Sequence, residues 1–200
     1  MAAIDGRTAR ALRTRELIVD ATIALVDEGD LRPTAPRVAE RAGVSVRSVF
    51  QHFADVEGLY AAVGDRVADR LQALVLVVEP TEALATRLPG IVRQRSTLLE
   101  AVTPILRATA VHAWGSEEVD NRVRFGRRFL RDEVARAFEP ELATAGADAR
   151  VVLDALDAAL SWPLWEHLRT SAHHDVDGAR VVVERLVRGV LGEDAGGPPN

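Results

Sequence analysis

The chain has 200 residues, 48% of them hydrophobic, and a formal net charge of −5 at pH 7. That apolar share supports a substantial core, in one compact unit or in a small domain joined to a larger one, and argues against disorder except at the ends. No cysteine occurs and every cation is an arginine, so disulfides, thiolate metal sites and cysteine nucleophiles are excluded. With abundant Ala, Val and Gly, the arginine usage fits a bias toward GC-rich codons and is not by itself a functional signal. The opening residues, MAAIDGRTARALRTR, lack the apolar stretch of a secretory signal. The longest apolar run, LQALVLVV from Leu71 to Val78, is far too short to span a bilayer. A cytoplasmic protein without a membrane partner is the expectation.

Taken in chain order, Arg7, Arg10, Arg13 and Arg15 come first, opposed only by Asp5. They read as a cationic arm for phosphate or the minor groove, or as a solvated disordered tail. A first helix follows, with an apolar stripe at Ile18, Ala21, Thr22, Leu25 and Val26, and Gly29 ends it. Leu31-Arg32-Pro33 is a loop. Thr34 to Phe53 then reads as two short helices meeting at a tight turn, the arrangement that places a helix in the DNA major groove. Thr34 can cap the first of these, and Pro36 falls in its first turn, where a missing N–H costs little. Val38 and Ala39 supply its inner face. Gly43 sits where the chain must turn with φ > 0 or with close backbone approach. Ser45 caps the second helix, in which Val49 packs inward while Arg47, Ser48, Gln51 and His52 face out. An ordinary helical hairpin in a core is the competing reading; against it, the second helix has too few apolar and too many hydrogen-bonding side chains. A fourth helix is capped by Asp55 and runs to about Val78, with its stripe at Val56, Leu59, Tyr60, Val63, Val67, Leu71, Leu74 and Val78. Pro80-Thr81 stops it.

The remainder reads as helix after helix, with no strand alternation and no glycine-rich phosphate loop. The expected spans are 81–101 with a kink at Pro89, 103–113, 116–138, 148–171 and 177–191, followed by a disordered tail from Gly192. The chain is therefore expected to be all-α. Ser116 followed by Glu117 and Glu118 is a sound helix start. From Val151 to Leu168 the sequence is apolar almost all round, leaving only Asp154, Asp157 and Ser161 as a narrow polar stripe. The last helix carries Ala179, Val182, Val183, Leu186, Val187 and Val190. A helix that is hydrophobic on more than one face must be covered on more than one face, so this pair is expected to pack on its own domain and on a second copy, with Val187 in that contact, or Ala159 and Val183 if Val187 faces its own core. The competing reading is a central core helix in a monomer. His173-His174-Asp175 lies in a predicted loop with no partner cluster and reads as solvated, not as a metal site. No metal and no cofactor are expected.

The turn segment, and AGVS followed by an aromatic-x-His-Phe within it, resembles the DNA-binding domain of TetR-type transcriptional regulators. Arg15, Ile18, Ala21, Leu25 and Gly29 match the family's first helix, and Phe53-Ala54-Asp55 with Leu59 match the start of its fourth. Three positions depart from the family pattern: Phe50 stands for the usual tyrosine, Val56 for the usual lysine, and Arg47 for a common glycine. The resemblance implies a helix-turn-helix domain over 1–55, a helical effector-binding and dimerisation domain over 56–191, and a tail over 192–200. It also implies DNA contacts at Thr34, Arg37, Ser45, Arg47, Ser48, Phe50, Gln51 and His52. An effector pocket is implied as well, with His112, Trp114, Phe125, Trp162 and Trp165 as candidate lining and Arg95, Arg107 and Arg128 as polar anchors. The expected function is regulation of transcription, leaning to repression, by a homodimer that binds a palindromic operator in double-stranded DNA and is released by a small-molecule effector. The alternative is a helical interaction protein of the same fold that has lost DNA binding, which Phe50 and Val56 leave open. Catalytic residues are none: no nucleophile elbow, metal-ligand helix or dinucleotide fingerprint occurs, so an enzyme is not expected.

Net charge has to be squared with DNA binding, since basic domains are the usual footprint. Residues 1–55 carry eight arginines and eight acids and are neutral; the −5 lies in residues 56–200, with 17 arginines against 22 acids. Asp20, Asp27, Glu28 and Asp30 occupy the later part of the first helix, away from the expected DNA face.

Overall fold

The computed structural model describes residues 6–72, 82–112 and 117–192, without the side chains of Arg7, Arg70, Leu71, Val111, His112, Glu118 and Val119. These residues fold into helices α1 (Gly6–Asp27), α2 (Ala35–Ala42), α3 (Val46–His52), α4 (Val56–Gln72), α5 (Leu84–His112), α6 (Glu117–Ala137), α7 (Glu139–Ala145), α8 (Ala149–Ala159), α9 (Trp162–Glu166) and α10 (Val176–Val190). A 3-10 turn, Gly146–Asp148, precedes α8, and a π turn, His167–Ser171, follows α9. No strand occurs among the described residues. The helices pack as two compact units: residues 1–73 with 104–125, and residues 74–103 with 126–200.

The first unit is organised by α1. Its stripe is buried as the periodicity requires: Ile18, Ala21, Thr22, Leu25 and Val26 are each at most 6% exposed. The Thr22 hydroxyl is satisfied inside the helix, donating to the Ile18 carbonyl at 2.8 Å. Val19 and Ile23, off the stripe, are buried too, because residues of α4 and α5 join the same core, among them Leu59, Val63, Ile105 and Ala108. Upstream, the arginine-rich segment is not a disordered tail. It is helical from Gly6, and its described residues up to Leu17 are exposed or half-exposed. Ala9, Ala11, Leu12 and the arginines are strong helix formers, which carry the helix on past the last buried residue. In α4 the stripe holds from Leu59 to Val63, but Val56, its first residue, faces solvent. The expected fourth helix beyond Gln72, with Pro80 and Thr81, lies outside the described residues, as do Ser116 and the tail from Glu193.

The second unit corrects two expected boundaries. Spans 81–101 and 103–113 are one helix, α5, which runs on through Pro104. A proline inside a helix costs about 3 kcal/mol or more. Here Leu98, Leu99 and Val102 before it and Ile105 and Ala108 after it are all buried, and burial of that many side chains outweighs the local loss. The expected helix 148–171 is instead broken at Leu160-Ser161. Ser161 adopts an extended conformation and its Oγ accepts the Leu164 N–H, so α9 begins afresh with Pro163 in its first turn. The predicted polar stripe of α8 is partly exposed and ion-paired: Asp154 and Asp157 both bind Arg131 of α6.

The faces of α8 and α10 also differ from expectation. Ala159, Val183 and Val187, the candidates for a contact with a second copy, are at most 7% exposed within their own unit, in a core shared with Leu88, Val134, Phe138, Leu156 and Trp165. The apolar residues left outward are Val151 at 68%, Val181 at 67% and Leu186 at 41%. Burial alone separates these two sets, and a stripe in sequence cannot.

Tyr60 is the chain's single tyrosine. Burial, reinforced by the negative charge of Asp30, pushes its phenol up to about 12 from an ordinary 10.0. A raised pKa on an acid that ionises to an anion means that the neutral phenol belongs to the folded state. The stabilisation is complete below pH 10 and is lost as pH rises through 12. Tyrosinate absorbance is therefore expected to appear near pH 12, together with loss of helical circular dichroism. Ionisation with a midpoint near the ordinary value, in a chain still folded, would show that the Tyr60 hydroxyl is solvated.

Candidate nucleic-acid interface

Helix α3 has seven residues, too short to be stable alone in water, so its position is set by its ends and its inner face. Before it, α2 starts at Thr34, whose backbone is extended (φ −79°, ψ 153°). Thr34 caps through its carbonyl, which accepts the Val38 N–H at 3.0 Å; its side chain makes no capping bond. Val38 and Ala39 bury the inner face of α2. Gly43 then turns left-handed (φ 67°, ψ 31°), and the Val44 N–H returns to the Ala39 carbonyl at 3.0 Å, closing the end of α2. Ser45 is extended, and its Oγ accepts the Ser48 N–H at 3.1 Å, the cap on α3 that the sequence indicated. Val49 and Phe53 are 4% and 5% exposed and hold α3 against the core. Arg15 lies over the Phe53 ring, 4.6 Å from its centroid. Asp55 then caps α4, taking the Gly58 N–H at 2.7 Å.

With Val49 inside, α3 turns out Val46, Arg47, Phe50 and Gln51, all exposed. This spacing, i, i+1, i+4, i+5, is one continuous stripe. Arg47 makes no hydrogen bond or ion pair with the described residues. Phe50 is 61% exposed, an unusual cost for an aromatic ring unless something covers it. Ser48 and His52 flank the stripe and are half-buried. Thr34 is exposed on α2, and Ser45 is occupied as a cap. Arg37 is exposed but ion-paired with Asp30. Sequence periodicity had no means of showing that pair, because it crosses the α1–α2 loop.

Part of the charge of this region is paired within the fold. Asp20 lies 3.4 Å from Arg66, Glu28 binds Arg41, and Asp30 binds Arg37. The hydrogen bond from Arg41 holds the exposed Glu28 carboxyl below its ordinary range. Asp20 of α1, and Glu28 and Asp30 just after it, are thus matched by arginines of α2 and α4. Arg10, Arg13, Arg32 and Arg47 make no ion pair among the described residues.

Residues 18–63, from α1 into α4, match the profile of bacterial regulatory proteins of the tetR family. The N-terminal region is a TetR-family domain. Solved structures extend the likeness of fold over nearly the whole chain. A transcriptional regulator from Rhodococcus sp. Rha1 is 19% identical with a TM-score of 0.66, and the match covers 94% of this chain and 99% of that one. A putative TetR-family transcriptional regulator from Mesorhizobium loti MAFF303099 is 18% identical with a TM-score of 0.60, over 92% and 97%. A SmeT–triclosan complex is 19% identical with a TM-score of 0.60, over 94% and 97%. No curated protein sequence matches the chain. The chain thus has the all-helical fold of TetR-family transcriptional regulators.

The residues expected to line an effector pocket fall partly outside the described residues and otherwise in both units. Trp114 and the His112 side chain lie outside the described residues. Phe125 is 63% exposed and belongs to the first unit, as does the half-buried Arg107. Arg128 is exposed. In the second unit, Trp162 donates its indole N–H to Thr103 Oγ1 at 3.1 Å, and Trp165 donates to Glu100 Oε1 at 2.6 Å. Trp165 also lines a narrow crevice together with Arg95. Among the described residues no group of three or more His, Cys, Asp or Glu is placed to hold a metal ion, and no helix is long and apolar enough to cross a membrane.

The left-handed turn is a specific requirement of this site. A Cβ at Gly43 would meet no atom within 4 Å, so only backbone strain opposes it. Gly43→Ala is expected to cost about 1–2 kcal/mol, read as a lower urea midpoint with unchanged slope. An unchanged midpoint would show that the turn relaxes without strain.

Proposed function

We propose that this protein is a transcriptional regulator that reads a palindromic operator as a homodimer, and that its second unit releases DNA when it binds a small molecule. The observation that carries the reading is the outward stripe of α3: a cation without an ion pair, an amide and two apolar side chains on one exposed face of a capped, seated helix. Each has a counterpart in the major groove. Arginine pairs bidentately with guanine O6 and N7, glutamine with adenine N6 and N7, and an apolar ring packs on the thymine methyl. Thr34, Arg37, Ser48 and His52, at the margins, are assigned to phosphates, which position the protein without reading sequence. Arg37 would then exchange Asp30 for a phosphate oxygen.

The base-reading assignment predicts a specific loss. Arg47→Ala should weaken operator binding by about 1–3 kcal/mol and relax preference at one position in each half-site. Selection of bound sequences from a pool of random duplexes checks it: the wild type should enrich an inverted repeat, and the variant the same repeat with one degenerate position. Enrichment of no repeat by the wild type would favour the alternative, an interaction protein that has lost DNA binding. A uniform loss across all sequences would place Arg47 on phosphate.

Two turn segments on one duplex need two copies with half-sites about 34 Å apart or a multiple of that. Val151, Val181 and Leu186, outward on α8 and α10, are the apolar surface such a pairing would cover. Val181→Glu is expected to leave folding within about 0.5 kcal/mol, because the site is on the surface, yet to shift sedimentation from dimer to monomer and weaken operator binding. Val187→Glu, fully inside its own unit, should unfold that unit instead. A wild type that sediments as a monomer at micromolar concentration sinks the dimer. The effector reading is supported by a fold relative crystallised with triclosan. An effector that changes the spacing of the two α3 helices would lower DNA affinity, and DNA would lower effector affinity by the same factor.

A further inference from the structure

Two arginines of the second unit are almost sealed from solvent, and their surroundings differ. Arg87 is 4% exposed and Arg95 8%. Arg87 is well partnered. Its Nε donates to the Glu82 carbonyl at 3.1 Å, its terminal nitrogens donate to the Ala137 carbonyl and the Glu141 carboxylate, and its plane lies over the Phe138 ring. Arg95 donates one hydrogen bond, from Nη2 to the Leu130 carbonyl at 2.8 Å, and makes no ion pair among the described residues. Burial pushes its pKa down to about 10, against the opposing pull of Asp157, so it remains a cation near neutral pH. Asp157 itself is bonded to Arg131 at 3.2 Å.

A guanidinium has five N–H donors, and a buried charge is costly unless it is paired and hydrogen-bonded. Arg95 lines a crevice in the second unit that also has the Ser96 and Ser161 hydroxyls and the apolar surfaces of Leu99, Leu160 and Trp165. A second cation, ion-paired with Asp177, stands beside it, since Arg180 Nε donates to Ser96 Oγ at 2.7 Å. The nearby carboxylate of Glu100 is occupied by Trp165 and Arg169. The crevice therefore joins an under-partnered cation to an apolar wall, the combination that suits an amphipathic anion. It is too narrow to admit even a water molecule, so an occupant must widen it. On one wall of the crevice, Leu160 and Ser161 form the break between α8 and α9.

We propose that Arg95 is the acid-binding residue of this unit and takes the carboxylate of a small monocarboxylic acid, whose apolar body lies against Leu99, Leu160 and Trp165. The proposal rests on the reading of the second unit as an effector-binding domain, and it narrows that effector to a chemical class.

The test uses the full chain without DNA. Thermal unfolding is followed with sodium benzoate, hexanoate and octanoate, and with the matching neutral amides, at constant ionic strength. At least one acid is expected to raise Tm saturably while its amide does not, and Arg95→Gln should weaken that acid by about tenfold or more, as loss of a charge-assisted bidentate pair implies. The proposal is overturned if no acid of the series shifts Tm, if an amide acts as well as its acid, or if Arg95→Gln binds the acid undiminished, which would leave Arg95 as a brace to Leu130. Should Arg95→Gln not fold, the acid-against-amide comparison on the wild type decides alone. Because DNA is absent, a chain that ignores all three acids but shifts an operator loses this site and keeps the regulator reading, and the reverse result separates them equally.

Discussion

Helix α3 does not exist without the burial of Val49 and Phe53. Seven residues contribute too few hydrogen bonds to offset the cost of nucleating a helix. Each buried side chain contributes roughly 1.5–3 kcal/mol relative to leaving it exposed. The rest of the first unit is arranged to make that burial available. Helix α1 is buried on two sides, α2 is ended by the left-handed Gly43, and Ser45 and Asp55 close the ends of α3 and the start of α4. With the inner face occupied, the outer face is fixed by geometry as Val46, Arg47, Phe50 and Gln51. The function of the region follows from which side of a short helix is wet.

Charge is handled by pairing, and the average over a domain conceals it. A neutral region looks unsuited to a polyanion, yet three of its eight acids stand opposite arginines from neighbouring helices: Asp20 with Arg66, Glu28 with Arg41, Asp30 with Arg37. The arginines left outside these pairs include Arg10 and Arg13 on the exposed start of α1 and Arg47 on α3. The second unit shows the opposite case in Arg95, where a buried cation has one carbonyl and a crevice in place of a carboxylate.

Signals confined to a few neighbouring residues were legible in the sequence. Gly43 as the turn, Ser45 and Asp55 as caps, Val49 as the inward residue and the α1 stripe all depend on local spacing, and all occur as read. The Ser161-x-Pro163 start of α9 was equally local, but the apolar run around it suggested one long helix. What sequence could not carry is orientation and long-range pairing. Val183 and Val187 share a stripe with Leu186, and only packing against Leu156 and Phe138 decides that the first two are inside. The break expected between 101 and 103 does not occur, because side chains on both flanks of Pro104 are buried. Arg37 has no partner in local spacing, and only the fold places Asp30 beside it, seven residues away across a loop.

The central claim is that the seated, outward stripe of α3 recognises DNA sequence. A gel-shift titration of the wild type against a palindromic duplex from the gene's own upstream region tests it most directly, with a scrambled duplex of equal length as competitor. The account predicts retardation of the palindrome that persists in the presence of excess scrambled duplex. No retardation, or equal competition by the scrambled duplex, would contradict it.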